Sequence, residues 1–248
     1  MGNEQQSNGG ARLEPGASPA EAATMRFIGA TAIVLAVSIA IQIVMFGVTD
    51  APGYGDPIND VFDWHAQNRV TVAIAVAAES LHMLLLLGFL AGLHGLVGRR
   101  GGVGADWSRL ALAAGATLSA IYAIYSVSWI GTVLSVGELT EPSPTFELAW
   151  QLHAAAFALS LPALGVTFLG AALAAHKSRL TPLWQSLLGM AGAGLTLAAG
   201  MASLEIADGS ALLFLGLPGL LVWILWLLMT GVRLVRGRTA DRPGTAST

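Results

Sequence analysis

Six long apolar stretches are the feature that most constrains this chain. Each runs for 22 to 28 residues, and about 20 mostly apolar residues suffice for a helix to cross the hydrocarbon core of a bilayer. Strands of a membrane barrel would be shorter and would alternate between polar and apolar side chains. The sequence therefore predicts an all-α integral membrane protein with six transmembrane helices. The predicted spans are Phe27–Val48, Val70–Val97, Leu110–Val136, Leu148–Ala175, Leu183–Leu204 and Ala211–Val232.

Charge and cysteine content narrow the class of protein further. Only 11% of the residues are charged, whereas a soluble domain carries about 25%. The 12 Lys and Arg residues are outnumbered by 15 Asp and Glu and form no basic stripe, so we expect the lipid bilayer, and no nucleic acid, as a partner. The chain has no cysteine, which excludes disulfides, thiol catalysis and cysteine-ligated metals.

The distribution of basic residues predicts the orientation in the membrane. Eleven of the twelve basic residues lie on the same predicted side as both termini, and only Arg69 lies on the other. The positive-inside rule places the basic side in the cytoplasm. We therefore expect a multi-pass protein of the cell membrane with both termini cytoplasmic. The preference for Arg over Lys, together with abundant Ala and Gly, indicates a GC-rich bacterial genome.

The chain divides into a membrane domain and two polar tails. Residues 1–25 and 238–248 are polar and are predicted to be disordered cytoplasmic tails, whereas residues 26–237 form the six-helix domain. The longest connection is Thr49–Asn68, which joins the first two spans. Its last part, around Trp64, is predicted to begin a helix that continues into the second span.

One carboxylate lies deep within a predicted span. Glu79 follows Arg69 by ten residues, which places it about 15 Å below the outer end of the second span, close to the midplane. His82 lies on the same helix face because it follows Glu79 by three residues. Ionisable residues at this depth are costly and are usually functional or paired. Glu-x-x-His also occurs in di-iron bundles, but this chain carries one such motif, so no metal site is predicted.

The third and fourth spans offer partners for this pair. Tyr122, Tyr125 and Trp129 recur at helical spacing on the third span, with Ser126 beside them. These side chains either form a packing stripe or line an outward-opening pocket together with Glu79. We predict the pocket, with Glu79, His82 and Tyr122 as candidate catalytic residues. The predicted ligand-binding residues are Tyr125, Ser126, Trp129, Trp150, His153, Glu205 and Asp208, the last two as a cap.

A haem held by two histidines is the cofactor most worth weighing. His82 and His153 differ in depth by about 10 Å, which does not suit two axial ligands on facing helices. His94 and His176 both lie near the cytoplasmic end and could pair instead, but no second pair would carry electrons across the membrane. We therefore expect no cofactor.

Three functions are compatible with a buried acidic pocket. The first is a binding module for a small lipophilic ligand, of unknown biochemical activity. The second is an intramembrane enzyme for an isoprenoid-like substrate, in which Glu79 acts as general acid or base and His82 or Tyr122 orients it. The third is a proton-coupled carrier, which six spans without a convincing inverted repeat make less suitable. That carrier would need a homo-oligomer, and the sequence leaves the oligomeric state open.

The last three spans carry short motifs with a familiar pattern. These are Trp150-Gln151, then Pro182-Leu183-Trp184 followed by a Leu-Gly run, then a closing segment with Trp226-Leu-Leu and Gly231-Val-Arg. Over roughly the last 90–100 residues, the chain resembles a family of six-span bacterial membrane proteins of unknown function. The resemblance implies a six-span fold and supplies no catalytic residue.

Overall fold

A computed structural model describes residues 19–137 and 139–237, and these residues are almost entirely helical. No strand occurs within them. The predicted all-helical class is therefore confirmed. The helices are α1 (Pro19–Val48), α2 (Ile58–Gln67), α3 (Arg69–Arg100), α4 (Val103–Val136), α5 (Pro144–Lys177), α6 (Leu183–Gly200), α7 (Ser203–Ala207) and α8 (Leu213–Val235).

Five of these helices, namely α1, α3, α4, α5 and α8, are long and apolar enough to cross a membrane. The fifth predicted span corresponds to α6, which has 18 residues and is not one of the five. Its sequence includes Gln185, Thr196 and several glycines, which lower its hydropathy. The helix also ends at Gly200, before the predicted boundary at Leu204, and the short α7 follows.

Two predicted boundaries need correction. Helix α1 begins at Pro19, so residues 19–25 are helical and do not belong to a disordered tail. Alanines favour a helix here, and Glu21 in the first turn complements the helix dipole. The rest of the two predicted tails, residues 1–18 and 238–248, lies outside the described residues.

Helix α2 does not continue into the second predicted span, contrary to the prediction. Helix α2 ends at Gln67 and α3 begins at Arg69, so that Asn68 separates them. The Asn68 amide donates to the Trp64 carbonyl at 3.0 Å, and such a local side-chain bond competes with a continuous helix.

Six helices form a closed ring. Each packs on two neighbours, in the order α1, α3, α4, α5, α6, α8 and back to α1. Phe89, Phe168, Trp223 and Trp226 are fully buried in the core between them. Glycine permits a close approach of two helices, since a Cβ on Gly170 of α5 would lie 2.8 Å from the Ala111 backbone nitrogen of α4.

The two ends of the ring differ in what covers them. At one end, which we call the termini end, α1 begins and α8 ends, and Arg100 donates to the Ser178 carbonyl at 2.7 Å. At the other, the loop end, α2 and the segment 49–57 pack over the helices. Gly55 in that segment touches Gly209 after α7.

Candidate functional site

A cavity of about 420 Å³ lies inside the ring, towards the loop end. Side chains from α1, α3, α4, α5 and α8 line it, and the segment 51–54 and α2 form its wall at the loop end. Its volume falls in the range of about 300–1,000 Å³ that is usual for small-molecule sites. Most of the lining side chains are apolar, so the few polar groups determine what chemistry it can perform.

Glu79 is the central polar group of the cavity. The Gln42 amide of α1 donates to its Oε1 at 2.8 Å, and His82 Nδ1 lies 3.7 Å from Oε2. All three side chains are buried. His82 Nε2 has no hydrogen-bond partner in the described part of the chain. The sequence predicted the Glu79–His82 pair, but it did not identify Gln42 as the partner, because helical spacing does not reveal which helices are neighbours.

Aromatic rings of α4 and α5 form the next part of the wall. The His153 ring stacks between Tyr125, at a centroid distance of 3.9 Å, and Trp150, at 5.2 Å. Its Nδ1 lies 3.1 Å from the Tyr125 carbonyl. A carbonyl only accepts, so Nδ1 carries a hydrogen, and in the neutral imidazole Nε2 is then an acceptor. Trp129 also contacts this imidazole, at 4.8 Å.

His65 of α2 joins the loop end to this aromatic wall. Its Nδ1 donates to the Val61 carbonyl at 2.7 Å, so the other ring nitrogen, Nε2, accepts from the Trp129 indole at 3.0 Å. Only the neutral imidazole can make both bonds. Burial lowers the pKa of His65, and the hydrogen bond to the Val61 carbonyl offsets part of this effect.

Tyr54 packs into the cavity wall from the segment 51–57. Its ring contacts Trp150 at 5.3 Å, Phe157 at 5.5 Å and His153 at 5.9 Å. Burial raises the pKa of the Tyr54 phenol, and the nearby Tyr122 and Glu79 side chains raise it further. Tyr54 and His65 line the cavity, although the sequence did not predict either of them as a site residue. The features of the sequence that could have indicated them are the single tyrosine inside a Pro-Gly-Tyr-Gly turn and the Trp-His pair that follows it.

Seven of the ten predicted site residues come together in this cavity. These are Glu79, His82, Tyr122, Tyr125, Trp129, Trp150 and His153. Ser126 does not line the cavity, although it is buried and its hydroxyl has no partner among the described residues.

The predicted acidic cap of the cavity is wrong. Glu205 and Asp208 are exposed and do not line the cavity. Ile206 is the residue of α7 that packs against α5 and α6, so the two carboxylates beside it point away from the bundle. The cover of the cavity is instead the segment around Tyr54 together with α2.

Among the described residues, the cavity lacks the side chains that usually bind metal ions or anions. The described residues contain no group of three His, Asp or Glu side chains placed to hold a metal ion. No Lys or Arg occurs among the described residues that line the cavity.

Comparison with protein-family models, curated proteins and solved structures finds no match.

Proposed function

We propose that this chain is a six-span membrane protein whose intramembrane cavity binds a small lipophilic ligand. The observation that carries the proposal is the carboxyl group of Glu79, buried with Gln42 and His82 in a cavity whose other walls are mainly apolar. The proposed orientation places the loop end outside the cell and the termini end in the cytoplasm, in accord with the positive-inside rule. The proposed location is the cell membrane of a bacterium.

The sixth crossing in this proposal is α6. Its 18 residues extend about 27 Å, nearly the thickness of the hydrocarbon core. Gly189 and Thr196 on one face are buried against the bundle, whereas Leu183 and Leu187 are exposed. An exposed leucine face suits contact with lipid. With six crossings both chain ends reach the same side of the membrane, in keeping with the packing of Gly29 on Gly231.

The energetics of Glu79 favour a binding role. Burying a carboxyl group away from water is costly unless it is hydrogen-bonded, and intramembrane ionisable residues mark functional sites by default. Gln42 satisfies one of its oxygens. A ligand hydroxyl beside the other oxygen and beside the unpartnered His82 Nε2 would complete the hydrogen bonding.

Lipid co-purification tests the proposal with a matched pair of variants. Glu79→Gln removes the carboxyl group in the cavity, and Glu205→Gln makes the same change at an exposed position outside it. Purified protein is extracted, and bound lipophiles are quantified by mass spectrometry. We expect one species to fall about tenfold or more in Glu79→Gln and to stay unchanged in Glu205→Gln. Equal amounts of every lipophile in both variants and the parent would refute the binding site.

An enzyme is the second candidate, and one observation favours it. The Glu79 carboxyl, the His82 imidazole and the Tyr122 phenol line the same mostly apolar cavity, where acid–base pairs act efficiently. In that case Glu79→Gln retains the ligand but no longer converts it. Comparing the mass of the bound species between the parent and Glu79→Gln separates turnover from binding.

A further inference from the structure

Helices α1 and α8 are in tight contact near the termini end. A Cβ on Gly29 would lie 2.6 Å from the Gly231 carbonyl oxygen, and a Cβ on Gly231 would lie 2.7 Å from the Gly29 carbonyl oxygen. The same contact includes Ile33 of α1 and Val235 of α8. Because the helices run antiparallel, this contact fixes which residues face each other further along.

Towards the loop end, the same register places α1 and α8 on either side of the cavity. Counting 14 residues along each helix from the glycine contact brings Ile43 level with Leu217, and counting ten or eleven brings Ile39 close to Leu220. All four residues line the cavity. Leu217 is also 39% exposed. The cavity therefore reaches the gap between these two helices, which we call the α1–α8 seam and define by Ile39, Ile43 and Phe46 on α1 and Leu213, Leu217 and Leu220 on α8.

The other walls are tied together by specific contacts. Gln42 links α1 to α3 through Glu79 at 2.8 Å. The imidazole of α5 stacks on Tyr125 of α4 at 3.9 Å. At the loop end, Tyr54 packs on the rings of α5 and Gly55 touches Gly209. The seam has only apolar side chains, and Pro218 lies within it and removes one helical hydrogen bond from α8. Because no side-chain hydrogen bond or ring contact of the described residues joins α1 to α8 there, we expect this seam to be the wall that separates most easily.

The chemistry of the seam restricts the head group of a molecule that passes through it. A charged head group would lose its hydration among leucine and isoleucine side chains, at a high cost in free energy. No Lys or Arg among the described cavity residues would pair with a phosphate. A hydroxyl group is less costly to desolvate, and it both donates and accepts hydrogen bonds. It can therefore bind the carboxyl group of Glu79 in either protonation state.

We propose that the ligand is a single-tailed lipid with an uncharged hydroxyl head, which enters from the bilayer through the α1–α8 seam. The head binds beside Glu79, and the tail stays between α1 and α8, in contact with the surrounding lipid. This inference rests on the proposed binding function. A long-chain alcohol and a long-tailed phenol share this chemistry.

Photolabelling in lipid nanodiscs tests the route and the orientation. The probes are a long-chain fatty alcohol and a long-tailed phenol, each with a diazirine either next to the hydroxyl head or at the far end of the tail. Mass spectrometry locates the labelled residues. We expect the head label near Glu79 and Tyr122, and the tail label on Ile39–Phe46 and Leu213–Leu220. The probe that labels the head site at the lower concentration identifies which of the two head groups the cavity prefers.

A matched pair of variants tests the seam without altering the polar groups. Leu217→Trp narrows the seam, and Leu221→Trp adds the same bulk at a position that is 52% exposed and outside the cavity lining. We expect labelling by both long-tailed probes to fall at least severalfold in Leu217→Trp and to be unchanged in Leu221→Trp.

The outcomes separate the two proposals. A head label at Glu79 combined with a tail label on residues 51–57 or α2 overturns the seam but keeps the binding function. Equal labelling of Leu217→Trp and Leu221→Trp also overturns the seam. The absence of any label in the cavity, in a parent protein shown to be folded, overturns both.

Discussion

The hydrogen bond between Gln42 and Glu79 provides a quantitative test of the site. The bond is 2.8 Å long, and both side chains are more than nine-tenths buried. Gln42→Leu leaves one carboxyl oxygen of Glu79 without a partner, and Glu79→Leu leaves the Gln42 amide without its acceptor. An orphaned buried group costs about 1–3 kcal/mol. We expect each single variant to lose that much stability.

The double variant distinguishes a specific bond from two unrelated losses. With both polar groups replaced by leucine, neither is left unsatisfied, so stability should recover towards that of the parent. The expected coupling free energy is about 1–2 kcal/mol, the upper part of what interhelical bonds contribute in membrane proteins. Equilibrium unfolding in mixed detergent micelles, followed by tryptophan fluorescence, measures all four proteins.

A second buried amide bond is the control for this cycle. Gln185 of α6 donates to the Thr230 hydroxyl of α8 at 2.8 Å, and neither residue lines the cavity. Gln185→Leu with Thr230→Val should show similar coupling but unchanged ligand occupancy. Additive losses for Gln42→Leu and Glu79→Leu, with no coupling, would contradict the assigned partner of the carboxyl group.

Three further changes have expected outcomes in the same unfolding assay. His65 stays neutral in the fold because burial lowers its pKa below the value near 6.5 of the unfolded chain. The contribution of His65 to stability is therefore full above pH 6.5 and falls below that pH, by at most about 1.4 kcal/mol per pH unit. His65→Gln should remove this pH dependence. Gly209→Ala forces a side chain onto a backbone with φ of +87° and into the Cα of Gly55, so it should cost about 1–3 kcal/mol; an unchanged variant would disprove that contact. Gly231→Ala pushes α8 away from the α1 backbone and should cost about 1–3 kcal/mol, whereas Gly131→Ala, with open space around its Cβ, should be neutral or slightly stabilising.

The helical architecture follows directly from the sequence, apart from a few boundaries. Long apolar stretches must satisfy their backbone hydrogen bonds internally in lipid, and a helix does so within one segment. The helix boundaries follow less directly from hydropathy, because a local side chain can compete with the helix, as Asn68 does between α2 and α3. The alanine-rich segment at residues 19–25 shows the opposite effect, since it extends α1 beyond the apolar stretch.

The candidate site was predictable within each helix. Helical spacing places Glu79 with His82, and Tyr122 with Tyr125, on the faces that line the cavity. The spacing could not identify Gln42 as the partner of the carboxyl group, because that contact depends on the packing of α1 against α3.

What the sequence by itself determined is the all-helical class of the protein and the place of its polar groups along each helix, since both depend on residues close together in the chain. The tertiary structure alone decided which helices are neighbours and which side chains enclose the cavity. The reason is that apolar helices in lipid are held together by shape and by a few hydrogen bonds, and hydropathy does not encode either of them. Tyr54 and His65 reach the cavity, and Glu205 and Asp208 remain outside it, for that same reason.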